Sequence, residues 1–278
     1  MHESSTGLPI NINISTIGYC NPTYSPQFRV GKSCLSIDSL TSYTEDNLSV
    51  ISNSVYCGSI IDGIQWIYWG SKIIQHDNKR FRLRIIEQCG FIDDHLFKSL
   101  GPSSESDIER CFESMIRVDS PKTAYVCKDQ VGNEWNYYRE ILEPGDFMVD
   151  VFIEVVDSTL TGKAAVSQQN FLKKALTELR KRRIPFVFAS SKRDCEVSPE
   201  NKEFLKHLLH KVCKSLKKTR CCRVETSARL NINVYQAFLS AALLCTPSSS
   251  EINCKYFPYH PPLSVAHQSS LNPNLRFR

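Results

Sequence analysis

Three short segments carry residues whose types and order suit one ligand chemistry. Gly31-Lys32-Ser33 reads as the end of a phosphate-binding loop. A tight turn entering a helix offers backbone N–H groups, the lysine reaches the β- and γ-phosphates, and the serine hydroxyl ligates Mg²⁺. Ser191-Lys192-Arg193-Asp194 follows an apolar run. An aspartate there can accept two hydrogen bonds, from the ring N–H and the exocyclic amine of guanine. Adenine would leave that acceptor unpaired, which gives strong discrimination. The Lys192 stem can cover the base plane. Glu225-Thr226-Ser227-Ala228, again after an apolar run, can offer the Ala228 amide to the guanine oxygen. In this order the segments predict a site for a guanine nucleotide with Mg²⁺.

The hydrolytic part of such a site is altered. In sites that cut GTP, the third strand ends in Asp-x-x-Gly-Gln, whose last residue orients the attacking water. The corresponding residues are Glu87-Gln88-Cys89-Gly90-Phe91. Glu87 keeps a carboxylate one methylene further out and Gly90 is retained, but Phe91 cannot orient a water. Asp93 or Asp94 could substitute, although capping the next turn is their simpler role. Thr41 and Thr44 are available to close over Mg²⁺, neither in a distinctive context. The phosphate loop departs too. The twelve residues 19–30, with Pro22, Pro26 and Phe28, separate the strand-ending Gly18 from Gly31 and would bulge outward. Ser191 stands where asparagine is usual, and its hydroxyl is expected to tie the base loop to the phosphate loop.

Apolar runs and helical patterns alternate around these segments. Ile10–Ile17, Gln65–Gly70, Arg80–Gln88, Phe147–Val156, Pro185–Ala189 and Arg223–Thr226 are predicted strands. Helices are predicted from Lys32 or Ser33 to about Leu40, through Phe171–Leu179, from Pro199 through Val212, and over Val234–Leu244. Such alternation predicts an α/β fold with a mainly parallel sheet and helices on both faces. Residues 1–246 read as one nucleotide-binding domain. About 92–145 reads as an insertion after the third strand, with one helix around Ile108–Ile116. Residues 247–278 read as a flexible tail or linker.

Composition narrows the class. The 278 residues are 41% hydrophobic and 23% charged with net charge +5, ordinary for a soluble globular chain. The basic run Arg180-Lys181-Arg182-Arg183 reads as a solvated helix end rather than a nucleic-acid surface. No apolar stretch nears the ~18 residues of a membrane span, and no signal peptide is expected. The twelve cysteines are scattered without CxxC or a nearby His pair, which favours reduced cytosolic thiols over zinc or disulfides.

A family resemblance rests on segments in order along residues 10–260. They are Asn13-Ile14-Ser15 with Gly18, Gly31-Lys32-Ser33-Cys34-Leu35, Tyr68-Trp69-Gly70, Glu87-Gln88 with Phe91-Ile92-Asp93-Asp94, and Val149-Asp150. Lys192 and Asp194 follow, then Val224-Glu225-Thr226-Ser227-Ala228-Arg229 with Asn233-Val234 and Ala237-Phe238. In these the chain resembles the N-terminal GTPase-like domain of the FF-domain-containing Rho GTPase-activating proteins, the glucocorticoid-receptor DNA-binding-factor family. The Tyr-Trp-Gly and Glu-Gln…Phe-Ile-Asp-Asp segments are not shared with ordinary small GTPases. Pro258-Tyr259 resembles the start of the linker into the FF region.

The resemblance implies a P-loop, small-GTPase-like fold on a six-stranded, mainly parallel sheet. It implies a pseudo-GTPase domain that holds GTP and Mg²⁺ with little or no hydrolysis. Such a domain belongs to the N-terminal part of a cytoplasmic regulator, peripheral at membranes, with protein partners in Rho signalling. Phosphate contacts fall on Val30, Gly31, Lys32, Ser33 and Cys34, with Glu87, Gln88, Cys89 and Gly90 near the γ-phosphate. Ser33 is the metal ligand, and no residue is catalytic. Guanine contacts fall on Lys192, Arg193 and Asp194 and on Ser227, Ala228 and Arg229. The chain departs at Pro22, Pro26, Phe28 and Arg29, where the family has glycines and lysines, and at Cys89, where it has threonine. A slow GTPase switch and a nucleotide-free interaction module stay open as alternatives. The Rho GTPase-activating reaction needs an arginine finger from another domain, and the stretch after residue 246 is too short to form one.

Overall fold

The computed structural model describes residues 8–19, 32, 35–36, 60–61, 64–93, 98–100, 109, 112–123, 137–138, 141–197, 199, 202–204, 206–207, 220–247, 252 and 254–260. Six strands carry the architecture: β1 (Ile10–Ile17), β2 (Ile64–His76), β3 (Lys79–Asp93), β4 (Val151–Asp157), β5 (Phe186–Ser191) and β6 (Cys221–Glu225). Their order across the sheet is β6-β5-β4-β1-β3-β2. β1 runs parallel to β3 and β4, β4 to β5, and β5 to β6, while β2 is antiparallel to β3. Short strands at Ile60–Ile61, Lys98–Leu100, Tyr137–Tyr138 and Tyr256–Phe257 extend it to a ten-stranded mixed sheet, where six strands are expected.

The sheet buries both faces because its central strands are apolar on both. All seven residues of β4 are buried, as a parallel strand between two helical layers requires. Val151, Ile153 and Val155 pack with Val234, Ala237 and Phe238 of helix α2 (Val234–Leu244). Phe152 points the other way, into a cluster with Phe171 and Ala175 of helix α1 (Gly162–Arg182). The two helices therefore cover opposite faces. The basic run closes α1, where Lys181 is 63% exposed and pairs with Glu109 and Glu178. It is a solvated helix end, as its sequence predicts.

Two expectations need correction. The apolar run Phe147–Val156 is not one strand. Gly145–Met148 pairs antiparallel with Met115–Val118, and the chain then breaks before β4. At the break Asp150 is clamped to β1: its N–H donates to Asn13 O at 2.9 Å and its Oδ2 accepts from Asn13 N at 2.8 Å. The helix expected around Ile108–Ile116 ends early. Glu109 is helical, but Met115–Val118 is a strand that buries Val118 beside Phe147. Part of the presumed tail is also folded, since Tyr256–Phe257 pairs in parallel with β6.

β2 and β3 form a hairpin closed by Asp77 and Asn78, both left-handed (φ 46° and 61°), a conformation these two residue types tolerate. Further along, the register shifts between Tyr68 and Gly70. Neighbouring strand residues face opposite sides, so Tyr68 joins the α1-side core and Trp69 the α2-side core; the extra residue at the bulge lets Trp69 and Ile74, an odd number of residues apart, share the α2 side.

Candidate functional site

The carboxyl ends of β1, β4, β5 and β6 lie side by side, the place where open α/β sheets bind ligands. Ser191-Lys192-Arg193-Asp194 leaves β5 there, and Thr226-Ser227-Ala228 leaves β6. The two loops are joined by hydrogen bonds. Thr226 N donates to Ser190 O at 2.7 Å and Arg193 N to Thr226 O at 3.1 Å. Ser227 Oγ donates to Asp194 Oδ1 at 2.7 Å and accepts from Leu230 N at 3.2 Å. Asp194 is half-buried, and among the described residues its Oδ2 meets the Cys195 thiol, at 3.7 Å. A carboxylate has about four acceptor positions, so the group is oriented by Ser227 with room for two more donors. That donor–acceptor pattern fits the guanine edge.

Lys192 is held from below. Its backbone is left-handed (φ 57°), an uncommon state for a lysine. Its Nζ lies 2.6 Å from Oδ2 of Asp157, which is 1% exposed. Asp157 Oδ1 accepts in turn from Thr159 N at 2.9 Å and Oγ1 at 2.6 Å. Ser191 Oγ donates to Val156 O at 3.0 Å, which ties the base loop to β4. The arginines behave differently from Lys192. Arg193 turns its guanidinium to Glu225, with Nε 3.3 Å from Oε2, and Arg229 is exposed. Ala228 is half-buried at the start of the turn after β6.

Glu225 is a hub behind the base loops. Besides Arg193 it meets Arg223 Nη2 at 2.9 Å and accepts from Tyr259 N at 3.1 Å. Burial pushes its carboxyl up, but the Tyr259 N–H, the Tyr256 hydroxyl and both arginines bring it below the ordinary value. The Asn233 amide donates to Glu225 O and to Pro258 O, both at 2.9 Å. The segment 255–259 is thereby fastened to the base loops.

In the segment expected to meet the phosphates, Lys32 and Ser36 are buried and helical, and Leu35 sits in the core. Lys32 Nζ donates to Gln88 O. Thr16 Oγ1 lies 3.0 Å from Ser36 Oγ and donates to Ile86 O at 3.2 Å, which anchors this helix to β1 and β3. Val30, Gly31, Ser33 and Cys34 lie outside the described residues, as do Phe28, Thr41, Thr44 and Asp94. Among the described residues no three His, Cys, Asp or Glu side chains cluster to hold a metal.

The segment expected near the γ-phosphate stays in the sheet. Glu87, Gln88, Cys89, Gly90, Phe91 and Asp93 all belong to β3, which pairs with β2 as far as Phe91. Glu87 is buried, and its Oε2 accepts from Trp69 Nε1 at 2.9 Å. By strand alternation Glu87 shares the face of Ile85, and Trp69 lies on that face too. So Tyr68-Trp69-Gly70 and Glu87, two separate segments in the sequence, are one structural unit.

Sequence reasoning passed over a residue in the middle of β4. Glu154 is fully buried, in register with Ile17 of β1 and Phe188 of β5. Among the described residues neither of its carboxylate oxygens has a hydrogen-bond partner. Burial raises its carboxyl to about 8, opposed by the attraction of Lys32. The only signal in the sequence is a lone acid inside the apolar run Val151–Val156.

These features define a mostly parallel α/β protein whose loops after β5 and β6 form one polar site at the sheet's carboxyl edge. The chain is similar to Rho GTPase-activating protein 190 of Drosophila melanogaster, 29% identical over 238 residues, 83% of this chain and 15% of that protein. It is also similar to Rho GTPase-activating protein 35 of Rattus norvegicus, 29% identical over 265 residues, 92% of this chain and 17% of that protein. It thus spans between 15% and 17% of the length of these curated relatives. No family model matches the chain.

Proposed function

We propose that this chain is a small-GTPase-like domain of the P-loop class that holds GTP with Mg²⁺ and hydrolyses it little or not at all, within a regulator of Rho signalling. The observation that carries the reading is the Asp194–Ser227 bond, which orients the carboxylate at the junction of two adjacent strand ends. Lys192, fixed by Asp157, supplies a stem to lie along the base. Lys32 and Ser33 would meet the phosphates, and Ser33 the metal. The bound nucleotide would stabilise the fold by mass action rather than act as a switch.

The non-hydrolytic half of the proposal is supported by the third strand. Glu87 gives one of its oxygens to Trp69, and the residues after it continue the ladder. Phe91 stands where a water-orienting glutamine would be needed. The similarity to two Rho GTPase-activating proteins supports the Rho assignment. The activity those names describe would require parts of a longer protein.

Competition binding tests the base assignment. Asp194→Asn replaces an acceptor by an amide whose NH₂ suits the second ring oxygen of xanthine. The variant should lose GTP by roughly 100-fold, the scale for removing hydrogen-bonded discrimination, and gain affinity for xanthosine triphosphate. Equal GTP affinity in wild type and variant would overturn the assignment.

A further inference from the structure

Helix α1 carries a glutamine among apolar residues. Gln168 is 1% exposed and lies about one helical turn from Ala165, Phe171 and Leu172, all buried. A buried amide is costly unless its donor and acceptor groups are met. Gln168 uses both ends of its amide on the main chain of one residue, the last of β4. Asp157 N donates to Gln168 Oε1 at 3.0 Å, and Gln168 Nε2 donates to Asp157 O at 2.9 Å. The side chain of that same aspartate holds Lys192, with Nζ 2.6 Å from Oδ2. Ser158, the next residue, holds the base loop as well, since its N–H and its hydroxyl both donate to Ser191 O. These contacts make an unbroken path from α1, through the end of β4, to the lysine whose stem is to cover the base.

We propose that Gln168 is a positioning residue for base recognition, acting on Lys192 through Asp157. The inference rests on the guanine-nucleotide reading and extends its determinants from the strand-end loops to a residue of α1. A lysine stem loses much rotamer freedom when it is fixed, and a site that fixes it before the ligand arrives binds more tightly. Gln168 fixes the main chain of Asp157 at both its N–H and its C=O. The carboxylate then meets the Lys192 ammonium at one place, with Thr159 N and Oγ1 on its other oxygen. Without Gln168 the strand end can shift, the carboxylate follows it, and the stem is no longer held. A glutamine that only satisfied the end of a buried strand would lower affinity whether or not residue 192 could reach Asp157.

The discriminating experiment is a double-mutant cycle read with guanosine and with GTP. Dissociation constants are measured by calorimetry on the 278-residue chain with Mg²⁺. Wild type, Gln168→Met and Gln168→Glu are each compared with the same protein carrying Lys192→Met. Met removes both amide bonds, whereas Glu keeps the length and the acceptor for Asp157 N, which guards against a Met variant that does not fold. Thermal unfolding checks each protein. With Lys192 present, both substitutions should weaken guanosine and GTP by the same factor, about tenfold, the scale of one net hydrogen bond. The factor is shared because the base is common to both ligands. With Lys192→Met present, the same substitutions should change neither constant by more than about twofold. Guanosine and GTP bound equally well with and without the Gln168 amide would overturn the positioning role while leaving the nucleotide reading intact. An equal loss in both backgrounds would overturn it as well, because Gln168 would then act on the fold and not through Lys192. Failure of every protein to bind guanosine or GTP would overturn both readings.

Discussion

Glu154 carries a prediction that needs no ligand. Its carboxyl is raised by burial from an ordinary 4.5 to about 8, with Lys32 pulling the other way. The folded protein thus holds this proton more tightly than the unfolded chain. The resulting stability is fully present below about pH 4.5, is lost as pH rises towards 8, and is constant above that. A gap of that size corresponds to a ceiling of roughly 5 kcal/mol at 1.36 kcal/mol per pKa unit, a large share of a typical folding free energy of about 5–15 kcal/mol. Urea unfolding from about pH 5 to about pH 9 should show wild type losing roughly 2–4 kcal/mol more than Glu154→Gln. Taking the difference removes the titration of other groups distant from the site. Glu154→Leu should be the more stable protein at about pH 9, since it fills similar space without a charge. Parallel pH profiles for wild type and Glu154→Gln would refute the argument that this carboxyl is isolated.

Other perturbations probe the parts that shape the site. Trp69→Phe removes the indole donor and leaves the buried Glu87 carboxylate short of a partner; urea unfolding should register a loss of about 1–3 kcal/mol. Lys192→Met leaves Asp157, 1% exposed, without its cation. It should cost about 2 kcal/mol, less than the ~3–5 for a fully buried pair because Lys192 is partly exposed; thermal melts would measure it. Glu225→Gln weakens the ties to Arg193, Arg223 and Tyr259. Amide exchange at Phe257 and Tyr259 should then accelerate while that of β4 stays unchanged.

The parts of this fold that were legible in the sequence are those set by local pattern. β1 runs over Ile10–Ile17 and α2 over Val234–Leu244, the bounds that apolar alternation and helical spacing predict. The loops after β5 and β6 were legible as a pair because polar residues follow each buried apolar run, and the structure brings Asp194 and Ser227 together. What was hidden depends on pairing across long separations. Phe147–Val156 reads as one run, but its first part pairs with Met115–Val118 and its second with β1 and β5. The Trp69–Glu87 bond depends on how β2 pairs with β3. Asp157 and Glu154 read as polar residues near a buried strand. The role of Asp157 comes from Lys192, which the loop after β5 brings beside it.

The most direct test of the central claim is the identity and fate of the nucleotide. The purified chain is denatured, the released nucleotide is identified by chromatography, and intact protein is then followed with excess GTP and Mg²⁺. The account predicts GTP on the protein and no more than a trace of GDP formed over hours. Bound GDP with repeated turnover would contradict the loss of hydrolysis. A protein that carries no nucleotide and binds none on addition would contradict the site itself.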